Sequence, residues 1–172
     1  MLFKPTYWMK SVLDIDVEFL RENNIRALVL DMDNTLSMHG SPEAEDGVME
    51  WLDEMRRSGV KMRVVSNNVP SRVVPLAAKM GLECTPNGAK PLAFGVLRAI
   101  EAMHVQPSKT LVVGDQIFTD ILAGNLAGIR TLLVEPFHLE NTWTFRLKRR
   151  VESLVFHRDY SNLEMKNVRY KG

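Results

Sequence analysis

The chain has 172 residues, the size of one compact domain, and its 45% hydrophobic and 25% charged residues exclude a disordered or fibrous protein. Lys plus Arg number 22 and Asp plus Glu 21, a net charge of +1, so there is no overall field of the kind that draws nucleic acid, and no nucleic-acid partner is expected. A single cysteine, Cys84, has no internal disulfide partner, and its Glu83-Cys84-Thr85 setting offers no base to activate it.

The distribution of charge is less even than its sum. From residue 137 to 172 there are eight Lys/Arg against four Asp/Glu, leaving the first 136 residues at −3. No apolar run approaches about 18 residues and the first ten residues lack a signal-like stretch, which predicts a cytoplasmic protein that does not span a membrane.

In chain order, Asp16 is placed to cap a short helix through about Asn23, after a segment at 8–13, and Tyr7 and Trp8 are expected to anchor the N-terminus to the core. Residues 26–32 (RALVLDM) read as a buried strand. Residues 43–58 read as a helix with Val48, Leu52 and Met55 on one face and Gly59 beyond its end. A strand follows at 60–66, then a helix at 71–80 stopped by Gly81 and a short extended stretch at 83–85. A helix at 91–103, a strand at 110–114 (TLVVG), a helix at 119–127 with Asn125 at its end, and a strand at 129–134 complete the repeat. Four or five parallel strands joined by helices make an α/β, Rossmann-like three-layer sandwich. The expected core spans about 26–135 of a single domain.

In such a sheet, sites assemble at the carboxyl ends of the strands. There the sequence places Asp31-Met32-Asp33-Asn34-Thr35, Ser66-Asn67-Asn68, Lys90 at a helix start, and Asp115 with Asp120. Clustered carboxylates repel one another unless a cation joins them, and an all-oxygen set beside phosphate favours Mg²⁺. Asp31 and Asp33, two apart in extended backbone, project to the same side. One suits attack on a phosphoryl group, and the other suits protonating the leaving oxygen and then activating water.

These residues carry a family resemblance. DMDNTL resembles the DxDxT motif of the haloacid dehalogenase (HAD) superfamily phosphatases, VVSNN their second motif, Lys90 their third and GDQIFTD their acidic fourth, in the family's order. The NTL, SNN, AKP and GDQIFTD forms, with the early DID and later NTWTFRLKRR stretches, are similar to the YqeG-type members of subclass IIIA. That group is related to the phosphatidylglycerophosphate phosphatases of mitochondria and plastids. The resemblance implies Asp31 as nucleophile and Asp33 as acid/base. It implies Lys90, Ser66 and Asn67 on the phosphoryl oxygens, with Thr35 supporting the loop and the phosphate site. It further implies Mg²⁺ on Asp31 and Asp115, with Asp120 acting through a water or by orienting Lys90. The Met32 position would bind the metal only through its backbone carbonyl, and the Asp33 carbonyl is a further candidate. A receiver domain also gathers Asp, hydroxyl and Lys on a doubly wound sheet, but lacks a late pair like Asp115 and Asp120.

Between Thr35 and Ser66 there is room for a flap at 37–42, carrying His39 and Gly40, and one helix. Between Ser66 and Lys90 lie 23 residues. Neither interval holds a cap domain, so the site is expected to be open and suited to phosphate on something large. In residues 143–156 (WTFRLKRRVESLVF), Trp143, Leu147, Val151, Leu154 and Val155 keep helical spacing beside Arg146, Lys148, Arg149 and Arg150. The segment either packs its stripe on the sheet or lies on an anionic membrane. His104, His138 and His157 have no metal-ligand spacing. The leading expectation is a Mg²⁺-dependent phosphatase acting on phosphatidylglycerophosphate, a lipid head group, peripherally at the inner face of the membrane. The alternatives are a broad or protein/nucleotide phosphatase and a non-catalytic phospho-ligand or GTPase-partner module.

Overall fold

The computed structural model describes residues 2–137. Apart from residue 137 itself, the expected basic segment at 137–172 lies outside the described residues.

The chain runs β1 (Tyr7–Met9), α1 (Val17–Glu22), β2 (Ala27–Leu30), α2 (Val48–Arg57), β3 (Lys61–Val65), α3 (Pro70–Lys79), β4 (Glu83–Thr85), α4 (Phe94–Met103), β5 (Thr110–Gly114), α5 (Leu122–Leu126) and β6 (Arg130–Val134). One-turn 3₁₀ helices occupy Val12–Asp14 and Pro107–Lys109, and a π-helical turn occupies Ile117–Ile121. All strands are parallel in the order β1-β6-β5-β2-β3-β4. The sheet has six strands where four or five were expected. The added strand, β1, pairs Tyr7 to Met9 with Leu132 to Val134.

Strand β2 is central and buried along its whole length, and its side chains divide between two apolar layers. Leu28 and Leu30 join Leu20, Leu52, Met55, Leu76 and Met80 under α1, α2 and α3. Ala27 and Val29 join Val96, Ala99, Ile100 and Ala123 under α4 and α5. This is the three-layer sandwich the apolar runs imply, since a parallel strand covered on both faces needs apolar residues at both phases of its pleat.

Capping sets the ends. The Asp16 carboxylate accepts the Phe19 N–H at 2.7 Å and starts α1. Helix α2 begins at Val48 rather than 43, because Gly47 enters it with a left-handed φ of 82°. Its buried face is Val48, Leu52 and Met55, joined by Trp51, whose indole N–H donates to the Ile15 carbonyl at 2.8 Å. Trp8 is 43% exposed and does not anchor the N-terminus. Tyr7 does, packing edge-on to Phe19 and donating its hydroxyl to Asn23. Asn125 also anchors the N-terminal residues, since its amide donates to the Leu2 and Lys4 carbonyls. Among the described residues, no helix is long and apolar enough to cross a membrane.

Candidate active site

The chain leaves β2 toward β3 and β4 on one side, while β5 and β6 fill the other. The carboxyl ends of β2 and β5 therefore form the topological switch point, where a doubly wound sheet opens a crevice. Asp31 sits at the end of β2, with its N–H donating to the Val113 carbonyl of β5 at 2.9 Å. Asp115 follows β5 directly.

After Asp31 the chain folds into a tight loop. Asn34 takes a left-handed φ of 61°, and its N–H donates to the Ser37 carbonyl at 2.6 Å. The Leu36 and Ser37 N–H groups both donate to the Met32 carbonyl, at 3.0 and 3.2 Å. This corrects the expectation of a cation on that carbonyl, whose lone pairs serve the turn. Thr35 is fully buried in the loop.

Asp33 faces three groups. Asn68 Nδ2 donates to Oδ2 at 2.5 Å, Arg72 Nη2 donates to Oδ1 at 2.6 Å, and His39 Nδ1 lies 3.4 Å from Oδ1. Asn68 belongs to the polar strand-end set read from the sequence but has no role assigned there, and Arg72 is not singled out. Arg72 lies in the first turn of α3, and the SNN run had drawn attention to its first two members only.

Lys90 is the hub of the buried side. Its Nζ donates to Asp31 Oδ1 at 2.5 Å and Asp120 Oδ1 at 2.6 Å. Burial pulls the ammonium down, but the Asp120 and Asp31 carboxylates outweigh it and hold Lys90 above the ordinary lysine range. Burial, aided by the Asp120 charge and opposed by Lys90, pushes the Asp31 carboxyl up to about 7. Asp120 is held from its other oxygen by the Gln116 N–H at 3.1 Å. The π-helical turn aims it there, and a Cβ on Gly114 would come within 2.3–2.5 Å of the Asp120 side chain. Gly114 is thus required by contact with Asp120.

Asn67 does not present its amide to the crevice. Nδ2 donates to the Lys90 carbonyl and Oδ1 accepts the Lys90 N–H, both at 2.8 Å. The residue expected to hold phosphate instead fixes the segment that carries Lys90. The same segment is pressed from behind by α4, where a Cβ on Gly95 would fall 2.3 Å from the Gly88 carbonyl. Ser66 is buried at the end of β3, and its Oγ accepts the Asn68 N–H at 3.1 Å.

Asp31, Asp115 and Asp120 are all buried, and each offers a carboxylate oxygen within 4.8 Å of the others. Among the described residues, the cation hydrogen-bonded within this set is Lys90, through Asp31 and Asp120. That all-oxygen set fits a hard divalent cation.

Residues 43–128 match the haloacid dehalogenase-like hydrolase family, and residues 1–79 match the mitochondrial PGP phosphatase family. A probable phosphatase, YqeG of Bacillus subtilis, is 34% identical over 153 residues, covering 89% of each chain. The chain belongs to the haloacid dehalogenase-like hydrolases. Within them it is a HAD phosphatase, and its substrate carries a phosphate. A chloroplastic/mitochondrial phosphatidylglycerophosphate phosphatase of Arabidopsis thaliana is 27% identical over 90% of the chain, which spans 47% of that plant protein. The HAD fold is shared with the cobalt-bound deoxy-D-mannose-octulosonate 8-phosphate phosphatase of Haemophilus influenzae. That structure has a TM-score of 0.53 and 12% identity, over 78% of this chain and 89% of that one.

Proposed function

We propose that this phosphatase is Mg²⁺-dependent, works through a phosphorylated Asp31, and acts on phosphatidylglycerophosphate. The single observation that carries the chemistry is the pairing of two carboxylates in opposite settings. Asp31 is held by the buried Lys90, whereas Asp33, two residues on, is held by Asn68 and the partly exposed Arg72 with His39 alongside.

The Asp31 oxygen not held by Lys90 attacks phosphorus, and the bond from phosphorus to the ester oxygen breaks as that oxygen takes a proton from Asp33. Asp33, now ionised, removes a proton from water, which attacks the acyl-phosphate and releases inorganic phosphate and the Asp31 carboxylate. Lys90 opposes the effect of burial on Asp31 by direct charge pairing and so favours its ionised form. Asp31 and Asp115, with the Asp33 carbonyl and Asp120 alongside, would hold Mg²⁺, which supplies charge neutralisation at the phosphoryl oxygens.

Two features support a lipid-borne substrate. The intervals after Asp33 and after Ser66 each hold one helix, α2 or α3, and no inserted domain. The segments that carry the site residues also expose apolar side chains, with Met38 43%, Val69 55%, Leu92 61% and Phe94 61% exposed. Each lies within four residues of Asp33, Asn68 or Lys90 or next to His39. Exposed apolar side chains close in sequence to the site residues suit a phosphate presented at a lipid surface, and the similarity to the plant and mitochondrial phosphatases points the same way.

The test is phosphate release from phosphatidylglycerophosphate in mixed micelles and from an aryl phosphate, with Mg²⁺ or with chelator. A lipid preference of orders of magnitude in kcat/KM supports the assignment, whereas equal slow rates on both substrates exclude it. Asp31→Asn is expected to lower kcat by more than about 10³-fold, as loss of a covalent nucleophile does.

A further inference from the structure

We infer that Arg72 is a specificity residue for a second anionic group on the substrate, and that taking this anion frees Asp33 for proton transfer. The inference rests on the reading of Asp33 as the acid/base of the phosphatase. It concerns the leaving-group side, which the phosphoryl chemistry does not define.

Asp33 has both carboxylate oxygens engaged: Oδ2 by Asn68 at 2.5 Å and Oδ1 by Arg72 at 2.6 Å. To protonate a leaving oxygen, a carboxyl must approach it to about 2.6–3.2 Å, and that approach is widest when one of these partners moves aside. Asn68 is tied into the loop through its N–H to Ser66 Oγ. Arg72 is the partner on the solvent side, with its side chain 30% exposed against 12% for Asp33. Among the described residues, Nη2 is the guanidinium nitrogen with a hydrogen bond, and that bond goes to Asp33.

The distances define what Arg72 can reach. A leaving oxygen hydrogen-bonded to Asp33 lies within two hydrogen-bond lengths of the guanidinium, about 6 Å. That is the span from a phosphomonoester oxygen across a two- or three-carbon unit to a neighbouring acid. A planar guanidinium binds such a group, whether carboxylate or phosphodiester, through two parallel N–H donors. Lys90 cannot serve here, because it is buried and committed to Asp31 and Asp120. When Arg72 turns to the second anion, Asp33 Oδ1 is released toward the leaving oxygen. A substrate without that anion leaves Arg72 on Asp33 and is processed poorly. The substrate class is therefore a phosphomonoester bearing a second anion a few bonds beyond its ester oxygen. Phosphatidylglycerophosphate, with a phosphodiester across its glycerol, is one member.

The experiment compares three soluble phosphomonoesters in Mg²⁺: the deacylated phosphatidylglycerophosphate head group (phosphodiester), 3-phosphoglycerate (carboxylate) and glycerol 3-phosphate (no second anion). A charged hydrogen-bond pair is worth about 1.5–3 kcal/mol, so the wild-type chain is expected to favour at least one bis-anion over glycerol 3-phosphate by about 10- to 100-fold in kcat/KM. Whichever anion carries that preference identifies its source. Arg72→Met is expected to collapse the ratio to within a few-fold, and Arg72→Lys to keep part of it.

An equal loss on all three substrates would make Arg72 a positioning residue for Asp33 alone and overturn the proposal, as would an unchanged ratio. The same three compounds titrated into Asp31→Asn, with and without Arg72→Met, read the preference as binding. That arm separates failure of this proposal from failure of the phosphatase mechanism, since it needs no turnover. A binding preference indifferent to Arg72 overturns the proposal there too.

Discussion

Asn67 grips the main chain of Lys90 at both ends, its Nδ2 donating to the Lys90 carbonyl and its Oδ1 accepting the Lys90 N–H, each at 2.8 Å. This clamp joins the end of β3 to the segment before α4 across 23 positions of sequence. It holds the base of a side chain whose tip lies between two buried carboxylates. Each of the two bonds contributes about 1 kcal/mol net, and more is lost if a buried backbone group is left without a partner. Asn67→Ala is therefore expected to lower stability by about 2 kcal/mol. It should also lower kcat/KM by about 10- to 100-fold, as small misplacements of a catalytic group do. Asn67→Asp keeps an acceptor for the Lys90 N–H but places an anion against the Lys90 carbonyl, so it should not rescue. Thermal melts and steady-state kinetics on the two variants check both statements. Full activity in Asn67→Ala would show that the position of Lys90 does not depend on this clamp.

The case of Asn67 shows what was legible in the sequence. The strand-end positions of Asp31, Ser66 and Asp115 could be read because β2, β3 and β5 are apolar runs ending in polar residues, and a parallel sheet puts such ends on one edge. The identity of a donor's partner could not be read. Whether the SNN amides face phosphate or protein depends on a loop that returns 23 residues later. The environment of Asp33 was hidden for the same reason, since Asn68 and Arg72 arrive from 35 and 39 positions away. Strand β1 has three residues and one buried side chain, too short for a period-2 pattern to register. The π-helical turn that aims Asp120 left no signal beyond ordinary helical spacing, although Gly114, pressed against that carboxylate, marks its location.

Lys90 sits between Asp31 and Asp120, all three buried. Replacing it with Met leaves two carboxylates facing each other without their cation. Removing one partner from such a buried set costs about 3–5 kcal/mol, or roughly 10 °C in melting temperature for a domain of this size. The expected behaviour of Lys90→Met is therefore twofold: strongly reduced turnover, and a melting temperature that recovers more on adding Mg²⁺ than the wild type gains. The second effect arises because an added cation compensates the missing ammonium. Differential scanning fluorimetry with Mg²⁺ or chelator measures it. A variant as stable as the wild type in chelator would mean that Asp31 and Asp120 do not depend on Lys90 for their charge balance.

Gly114 offers a test that separates site geometry from packing. An added methyl would come within 2.3–2.5 Å of the Asp120 side chain, whereas one on Gly124 would meet Thr131 Cγ2 at 2.4 Å in the core. Both substitutions force movement, but only the first moves a carboxylate held against Lys90. Gly114→Ala is expected to reduce kcat/KM by about 10²-fold. Gly124→Ala should lower the melting temperature while keeping specific activity at a temperature where it is folded. Parallel kinetics and melts on the two proteins decide the point. Equal activity losses would show that Asp120 is not the sensitive element.

The last prediction concerns the cation. Asp31, Asp115 and Asp120 bring three buried carboxylate oxygens within 4.8 Å of one another, a set that the folded chain possesses and the unfolded chain does not. A ligand that binds only the folded state stabilises it by about 2.7 kcal/mol at a hundredfold excess over its Kd. Mg²⁺ should therefore raise the melting temperature of the wild type by about 5–10 °C, the size expected for that free energy in a domain of this length. Asp115 follows β5 at the switch point and is not one of the two carboxylates that hold Lys90, so Asp115→Asn should remove most of the shift without disturbing the Lys90 pairs. Asp14, exposed in the N-terminal 3₁₀ turn, supplies the control, and Asp14→Asn should keep the full shift whatever it does to the baseline melting temperature. If Asp115→Asn retains a wild-type response to Mg²⁺, the cation binds elsewhere, and the three carboxylates would have to be balanced by Lys90 and by protonation of Asp31.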